Sequence, residues 1–513
     1  MPLNHPAGSR EHSFEPVSEV SSEWGIAAIY DCSVLNALWF GDYTDSLKGL
    51  EEVPFRQTLS QGRQWEEGLV QLAGVSVSYN EADGTIALNK RIVEDRRVIT
   101  RQELGARGKV LTQLSRQTSA LHKELRVEVG LAASYWRYST ADGGSLRLQW
   151  TSPPTFSMSD DDYLRSELEK HYTSVRNMVM TELPSPASTA LHDIWVSHEK
   201  NQHLINFLVV DRPVTSAACS MRSPSAPASG TGDAERHVIL FSADMFPSVR
   251  LKLPPEDRDW VPRLFAPQAT HHFDEGFYLA ETEAYWAFYA PLMASRDASP
   301  TGAITSRPEL NPLAKIVSAG DSVHELKVSG TSSGVAWTLA GEALGKLEVQ
   351  LEQPVYRPPQ ALNPQARLSA ESKTLQPAAY KVNAFSPVST DIVRATVGQL
   401  SAEAIFVSQY LIQTHHFKVA KQGCTNVSFS LCYVNKNGEE EVVPAANVKW
   451  HILAGNGTLS EAGVFIPDPV SPTACTVVMA EEYNELVWYW ALTVIPSPLF
   501  DADAIVGFFE AEA

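Results

Sequence analysis

The sequence predicts an α+β fold dominated by antiparallel β-sheet. The first observation is the stretch 448–479, in which short strands of alternating apolar residues are separated by glycine turns. The second is a long alternating segment over residues 125–150, which a turn at Asp142-Gly143-Gly144 folds into a hairpin. The third is an amphipathic pattern that begins at Ser159 and predicts a helix to about Met180.

The composition is that of a folded, acidic protein. The chain has 513 residues, of which 44% are hydrophobic and 20% are charged, so about two to four domains with sizeable cores are expected. The formal net charge is −19, and no cluster of Lys and Arg forms a basic stripe. These features argue against nucleic-acid binding and against electrostatic docking on anionic lipid. They do not exclude a lipid held inside an apolar cavity.

The first half of the chain predicts strands with some helix. Residues 24–40 fit a buried strand followed by a capped helix. Alternation over 75–88, with Asp-Gly in the middle, predicts a hairpin. Charges over 93–122 have helical spacing, although two glycines weaken a continuous helix. Residues 194–210 predict a pair of strands.

The second half begins with a loop and returns to strands. Residues 216–233 are rich in Ser, Pro, Ala and Gly and predict a mobile loop. An apolar strand follows at 237–246, and alternating, glycine-spaced strands occupy 323–351. A helix is predicted over 401–411. The last module runs from near residue 415 to near residue 496.

The cysteines and the N-terminus indicate a compartment. The five cysteines are scattered and contain no CxxC pair, which favours a reducing environment. A single disulfide within the last module is the alternative, because three of the five cysteines lie there. The N-terminus shows no signal peptide, so we expect a cytoplasmic location or export without a classical signal peptide. The cysteines are Cys32, Cys219, Cys424, Cys432 and Cys475.

Three pairs of histidines offer metal-ligand chemistry without a metal-binding spacing. The pairs are His198 with His203, His271 with His272, and His415 with His416. The first pair is five residues apart around Glu199, whereas a zincin helix needs a separation of four. Adjacent histidines on an extended chain point to opposite faces, and the acidic neighbours Asp274 and Glu275 of the second pair do not change this. The sequence therefore predicts no metal site.

The sequence also lacks the common catalytic and nucleotide-binding motifs. There is no GxSxG, no Walker phosphate loop and no GxGxxG that opens a helix. Gly455-Asn456-Gly457 fits a hairpin turn, and Cys32 fits a small buried side chain better than a nucleophile. The acidic run 160–162 fits a solvated helix start better than a cation site. We therefore predict that the protein is not an enzyme and has no catalytic residues and no cofactor. The sequence identifies no cofactor-binding residues.

Residues 448–496 resemble a bacterial immunoglobulin-like (Big-type) domain. The resemblance implies a β-sandwich in which the tryptophan packs between the sheets and the glycines make turns, with no catalytic residue. The final strand departs from the family pattern in its Trp488-Tyr489-Trp490 run, one face of which is expected to pack on the main body. The resembling residues are Val448, Trp450, Gly455, Gly457, Leu459, Gly463, Phe465, Pro467 and the strand 476–479.

The preceding body is similar to the TULIP (tubular lipid-binding) superfamily, in particular to bacterial members encoded beside clostridial neurotoxins. The resembling segments are 24–36, with its helix start at 34–38, then 239–246 and the strands of 323–351. The resemblance covers about residues 21–400. It implies a long bent sheet wrapped round a helix, with lipid in the tube.

The predicted organisation has a large body and a small C-terminal sandwich. We expect a flexible tail at 1–20, a TULIP-like α+β body at 21–412, an Ig-like β-sandwich at 413–497 and an acidic tail at 498–513. The body has a loop near 216–233, where two subdomains can meet.

The leading functional hypothesis is non-enzymatic binding of a lipid or another hydrophobic ligand in an apolar groove. Burial of an acyl chain contributes about 0.8 kcal/mol per CH₂, and the chain has 12 Trp, 16 Tyr and 19 Phe to line such a groove. We expect a role as an accessory to a toxin or in host interaction. In that role the Ig-like domain can bind another protein. The alternative is an adhesin-like protein that binds protein or glycan without a lipid cavity. A third hypothesis is an enzyme built from scattered residues.

Overall fold

The structure of the chain is a computed structural model. It describes residues 26–31, 36, 51–60, 63–80, 84–102, 108–118, 124–130, 133–139, 145–159, 161–182, 193–199, 204–210, 237–242, 270–271, 277–281, 285–289, 292–293, 308–329, 334–350, 353–361, 386–423, 426–482, 484 and 488–510.

The strands of the described residues, in chain order, are β1 (Ile26–Asp31), β2 (Glu51–Ser60), β3 (Gln64–Asn80), β4 (Thr85–Gln102), β5 (Lys109–Thr118), β6 (Glu124–Gly130), β7 (Ser134–Ser139), β8 (Ser145–Trp150), β9 (Thr155–Ser157), β10 (Asn177–Glu182), β11 (Asp193–Glu199), β12 (Leu204–Val210), β13 (His237–Ser242), β14 (Thr270–His271), β15 (Phe277–Glu281), β16 (Tyr285–Tyr289), β17 (Leu292–Met293), β18 (Glu309–Asn311), β19 (Ala314–Ser318), β20 (His324–Glu325), β21 (Lys327–Ser329), β22 (Ala336–Ala340), β23 (Lys346–Gln350), β24 (Gln353–Arg357), β25 (Val388–Val397), β26 (Leu400–Gln409), β27 (His416–Gln422), β28 (Asn426–Val434), β29 (Glu440–Val442), β30 (Val448–Ala454), β31 (Thr458–Leu459), β32 (Val464–Ile466), β33 (Thr476–Glu482) and β34 (Tyr489–Ile495). The α-helices are α1 (Asp162–Val175) and α2 (Ala502–Phe509), and a 3₁₀ turn spans Ala445–Asn447.

The described residues are mostly β-strand, so the expected α+β fold with a sheet wrapped round helices is wrong. The two described α-helices are 14 and 8 residues long, and neither is long and apolar enough to cross a bilayer. The helix predicted over 401–411 is instead strand β26, which pairs with β25 along its whole length. Its alanines and glutamate favour a helix locally, but pairing and burial in a sheet override that preference.

Other predictions meet mixed outcomes. The hairpin over 75–88 is confirmed by β3 and β4, and the strand pair of 194–210 is confirmed by β11 and β12. Within the charged segment 93–122, residues 93–102 belong to β4 and 109–118 to β5, so these described parts are strand rather than helix. In the stretch 125–150, β7 and β8 form the hairpin, while β6 pairs with β4. The tail 1–20 and the loop 216–233 lie outside the described residues, as does the helix start at 34–38 except Asn36.

The chain divides into two compact units. Unit 1 comprises residues 1–51, 72–92 and 123–302, and unit 2 comprises residues 52–71, 93–122 and 303–513. Strands β2, β3 and β4 contribute residues to both units.

Unit 1 contains a six-stranded sheet in the order β11-β12-β1-β13-β16-β15 and a three-stranded sheet in the order β10-β8-β7. Helix α1 begins at the cap residue Asp161, whose carboxylate accepts from the Leu164 backbone N–H (3.0 Å). Its apolar face buries Leu164, Leu168 and Tyr172. The helix ends at Arg176, which has a left-handed backbone conformation (φ 55°). It is shorter than the predicted helix to Met180, because β10 begins at Asn177.

A buried ion pair lies beneath this helix. The Lys90 side chain is only 2% exposed, and its ammonium donates to Glu51. Tyr172 donates to the same carboxylate (2.7 Å), and the His171 ring lies 3.3 Å from it. Burial alone would raise the pKa of Glu51, but the hydrogen bonds from His171, Lys90 and Tyr172 and the charge of Lys90 lower it to about 2. The cluster therefore ties α1 to the strand ends of unit 1.

Unit 2 contains strands in the order β2-β3-β4-β5-β19-β26-β25-β22. Strand β19 pairs parallel with β26, from Ala314 opposite Ile405 to Ser318 opposite Gln409. It pairs antiparallel with β5, and β26 pairs antiparallel with β25. A second sheet has the order β20-β24-β23.

The last strands of unit 2 form two antiparallel sheets around one hydrophobic core, which is the arrangement of a β-sandwich. One sheet has the order β27-β28-β32-β31 with β29 on β28, and the other has the order β30-β33-β34. Phe417 stacks on Trp450 (5.9 Å between ring centroids), and Phe429 meets Phe509 of α2 edge to face (6.0 Å). Trp490 of the aromatic final strand is fully buried in this core, which also includes Leu111 of β5. The predicted domain limits, 413 and 497, stay a prediction.

A buried carboxylate connects the second sheet of unit 2 to β25. Asp391 is 2% exposed and accepts from the backbone N–H groups of Leu344 (2.9 Å) and Gly345 (2.8 Å). It also accepts from the Tyr356 hydroxyl (2.5 Å). Burial and this hydrogen bond raise the pKa of Tyr356, so the phenol stays protonated as a donor. Three donors satisfy the carboxylate, as a buried anion requires.

We expect Glu51→Gln to destabilise the protein by about 3 kcal/mol, because it leaves the Lys90 ammonium buried without its counter-charge. The double variant Glu51→Gln/Lys90→Met should lose less stability than Glu51→Gln alone. Urea denaturation followed by circular dichroism measures both. Lys90→Met alone completes the set, and a double variant whose loss of stability equals the sum of the losses in Glu51→Gln and Lys90→Met would contradict the pairing.

The same pair predicts an acid dependence of stability. The pKa of Glu51 is about 2 in the folded chain against an ordinary value of 4.5. Its stabilisation, up to about 3 kcal/mol, is therefore complete above pH 4.5 and is lost as the pH falls towards 2. The difference in unfolding free energy between the wild type and Glu51→Gln should shrink over that interval, and a constant difference would count against this assignment.

We expect Gly345→Ala to destabilise unit 2, because the added Cβ would lie 2.5 Å from the Tyr356 hydroxyl and 2.6 Å from the Asp391 carboxylate. The loss should reach about 1–3 kcal/mol, typical of overpacking. Gly507→Ala in α2 is the matched control, because its Cβ meets nothing within 4 Å. Replacing glycine in a helix should be neutral or stabilising by up to about 1 kcal/mol. Equal melting-temperature losses in both variants would refute the crowding argument.

Candidate functional site

The ends of several strands of unit 2 converge on one cleft of about 540 Å³. The last residues of β2, β4, β19 and β26 line it, together with the first residue of β3. The volume lies within the range of about 300–1,000 Å³ that is usual for ligand pockets. The lining residues are Ser60, Arg63, Gln64, Arg101, Gln102, Ser318, Ala319, Ala361 and the segment 409–413.

Backbone hydrogen bonds hold the rim of this cleft. The Arg63 N–H donates to the Ser60 carbonyl at the end of β2 (2.8 Å), and the Gln102 N–H donates to the Arg63 carbonyl (2.9 Å). On the other side, the Ala319 N–H donates to the Gln409 carbonyl (2.8 Å). The polar side chains of the rim therefore project from paired backbone, which limits their positions.

The lining is rich in hydrogen-bond donors. Arg63 and Arg101 contribute guanidinium groups, and four glutamines contribute amides. Guanidinium groups present several N–H donors in a fixed plane and carry a permanent positive charge. The aromatic ring of Tyr410 and the exposed side chain of Ile412, which is 68% exposed, complete one wall.

Two amide groups in the cleft wall have an unsatisfied nitrogen. Gln413 accepts from the Leu492 backbone N–H through its side-chain oxygen (2.8 Å). Its amide nitrogen and that of Gln409 are buried, and neither has a hydrogen-bond partner among the described residues. Unsatisfied buried donors are rare, because each one loses its hydration without compensation. A water or a polar ligand group that enters this wall would satisfy them.

A smaller cleft of about 260 Å³ adjoins the first and shares Gln64, Arg101 and Ser318 with it. Burial lowers the pKa of Lys315 in its wall, while the charge of Asp321 opposes the shift. Burial and the charge of Lys315 lower the pKa of His324 to about 4, so this ring is neutral at pH 7. Together the two clefts offer three cationic side chains and one carboxylate. The arrangement suits a ligand rich in acceptors or negative charge.

A second group of polar side chains has metal-ligand chemistry. His416, Cys432 and Glu440 each offer one ligand atom, and these atoms all lie within 4.8 Å of one another. The hydrogen bond from His416 lowers the pKa of Glu440, and Lys418 acts in the same direction. Burial and the charge of Glu440 raise the pKa of the Cys432 thiol to about 11.

The structure places the histidine pairs of the sequence in different settings. His198 lies in β11 and His271 in β14, whereas His203 and His272 lie outside the described residues. His415 and His416 are both buried. The His415 ring lies 3.3 Å from Glu482 and the His416 ring 3.1 Å from Glu440.

Some of the remaining candidate residues lie among the described residues and others do not. Cys32 and Asp160 lie outside the described residues, Asp161 caps α1, and Asp162 opens it. Gly455 and Gly457 have φ of 85° and 125°, as expected of turn glycines. Cys432 and Cys475 are free thiols, so they do not form the disulfide left open by the sequence, and Cys424 is not among the described residues.

Sequence reasoning missed the cleft residues and Glu440. Arginine and glutamine at strand ends carry no local signature, since most such residues are simply solvated. His416 has no metal-site signal in the sequence, because it is adjacent to His415 on an extended chain. His416 and Cys432 come together through the register of β27 and β28, which cannot be read from the sequence alone.

No protein-family model matches the chain, and no curated protein matches it. Weak likenesses exist among solved structures. Human protocadherin-24 EC1-2 is 8% identical, with 37% of this chain and 93% of that chain covered and a TM-score of 0.15. P47 of Clostridium botulinum E1 is 8% identical, with 92% and 82% covered and a TM-score of 0.25. Protocadherin gamma B7 cadherin domains 1–4 are 10% identical, with 83% and 91% covered and a TM-score of 0.15. These TM-scores are too low to establish a fold or a function, so the TULIP and Ig-like resemblances stay predictions.

Proposed function

We propose that this chain is a non-enzymatic binding protein that takes an acidic oligosaccharide in the donor-rich cleft of unit 2. The observation that carries the proposal is the convergence of two arginines and four glutamines on one cleft at the strand ends. Charge-assisted hydrogen bonds from guanidinium to carboxylate contribute about 1.5–3 kcal/mol each, which is enough to select an acidic ligand.

The size and lining of the cleft favour a sugar. A volume of about 540 Å³ suits a short oligosaccharide. Amide side chains can both donate to and accept from sugar hydroxyls, and the Tyr410 ring offers an apolar face for a sugar ring. Because the backbone of the rim is already fixed by hydrogen bonds, binding loses less conformational entropy, which raises the affinity.

Lipid binding in an apolar groove, the leading hypothesis from the sequence, is the second candidate. The two clefts described in unit 2 are lined by charged and amide groups, which would lose hydration against an acyl chain. This polar lining favours the protein- or glycan-binding alternative over the lipid hypothesis.

Calorimetric titration of the full chain with a uronic-acid oligosaccharide tests the proposal, with a neutral oligosaccharide of the same length as the ligand control. We expect the acidic sugar to bind, and its affinity to fall as salt rises. Arg63→Gln/Arg101→Gln should weaken binding by about 10-fold or more, equivalent to about 1.4 kcal/mol. Arg394→Gln is the matched control, because this arginine of β25 pairs with Glu403 of β26 and does not line the cleft.

Equal loss in the cleft and control variants would contradict the cleft assignment. Binding of an acidic peptide in place of the sugar would move the proposal to a protein ligand. Native mass spectrometry before and after mild organic extraction tests the lipid hypothesis by detecting any lipid that co-purifies with the chain. Release of a co-purified lipid, with no binding of the acidic sugar, would overturn the proposal in favour of the lipid hypothesis.

A further inference from the structure

We propose that His416, Cys432 and Glu440 form a binding site for a zinc-type divalent cation in unit 2. The three residues come from three neighbouring strands, β27, β28 and β29. This inference does not depend on the proposed glycan cleft.

Strand register brings the three side chains to one place. His416 lies directly opposite Cys432 in the antiparallel pair of β27 and β28. Cys432 in turn lies opposite Val442, so Glu440 is its diagonal neighbour two residues along β29. Opposite and diagonal neighbours in a pleated sheet share a face and are within reach of one another. All three side chains therefore project from the same face of the sheet.

The distances suit a metal ion. The three ligand atoms lie within 4.8 Å of one another, and His416 Nε2 lies 3.1 Å from Glu440 Oε2. In a tetrahedral zinc site with bonds of about 2.0–2.3 Å, ligand atoms are separated by about 3.3–3.7 Å. Small side-chain rotations satisfy this geometry.

The site is enclosed but has an entrance. The side chain of His416 and residue Cys432 are 2% and 0% exposed, whereas the Glu440 side chain is 24% exposed. A Cβ built at Gly108 would lie 2.7 Å from the His416 ring, so this glycine lets the backbone cover the imidazole. Metal exchange can proceed from the Glu440 side while two ligands stay fixed by packing.

The donor set indicates the class of metal. A thiolate and an imidazole favour zinc, and exclude sites built for calcium or magnesium, which take oxygen ligands. The thiol of Cys432 donates to the Ser430 carbonyl (3.6 Å). Metal binding replaces that S–H with a metal–sulfur bond and releases the thiol proton to solvent, while His416 binds through Nε2 as the neutral tautomer that carries its proton on Nδ1. Lys418 donates to the other oxygen of Glu440 (3.1 Å) and orients the carboxylate. Three protein ligands leave the fourth position to water or to a partner's side chain.

The test is titration of the chelator-treated full chain with Co²⁺, followed by displacement with Zn²⁺. We expect one equivalent to bind, with a thiolate-to-cobalt charge-transfer band in the near ultraviolet and the intense visible bands of four- or five-coordinate cobalt. Zn²⁺ should abolish both and raise the melting temperature. Cys432→Ser should remove the charge-transfer band. Glu440→Gln should weaken zinc binding by about 100-fold or more, beyond the effect of losing an outer partner.

Cys475→Ala is the matched control, because Cys475 is the other buried free thiol of the described residues and lies outside the cluster. It should keep the band and the affinity. If Cys432→Ser does not fold, Glu440→Gln decides the outcome, because the Glu440 side chain is 24% exposed and lies at the edge of the site rather than in the core. The absence of a thiolate band in the wild type, or a band that survives Cys432→Ser, would overturn the proposal. So would an unchanged affinity in Glu440→Gln.

Discussion

The parallel pairing of β19 with β26 is the constraint on which unit 2 depends. Antiparallel neighbours can be joined by a tight turn, whereas parallel neighbours need a long crossover. Here the connection is residues 319–399, which contain the sheet β20-β24-β23 as well as β22 and β25. The pairing sets Ser318 beside Gln409, and both line the candidate cleft. One register therefore places a whole sheet and one wall of the site.

Buried polar groups give these strands a defined arrangement that apolar packing alone does not provide. Asp391 sits opposite Phe406 in the register of β25 and β26, and it holds Tyr356 of β24 and the turn before β23. In unit 1, Glu51 and Lys90 have a similar role beneath α1. Each such group requires its partners at fixed positions, because an unpaired charge in the interior is costly. Apolar clusters tolerate some rearrangement more readily.

Both proposed sites are products of strand pairing, the cleft between residues that are distant in the chain and the metal cluster across three consecutive strands. The cleft joins residues from positions 60 to 413, and the metal cluster joins three neighbouring strands. They differ in chemistry. The cleft presents cationic and amide donors to a polar ligand, whereas the metal cluster presents three donors of electron pairs to a cation. The net charge of −19 does not predict the local charge of the cleft, since that charge depends on which side chains meet there.

The sequence by itself determined the period-two segments, the turn glycines and the hairpins of β3 with β4 and β7 with β8, because these depend on residues adjacent in the chain. It also predicted the helix α1, but with a start at Ser159, whereas Asp161 caps the helix in the structure. Only the tertiary structure decided that Leu400–Gln409 is a strand and that the described parts of 93–122 are strands of β4 and β5. Local preference in these segments favours helix, but sheet pairing is stronger. The two sites were likewise decided by register, since the distance between His416 and Glu440, or between Arg63 and Gln409, is set by which strands lie side by side.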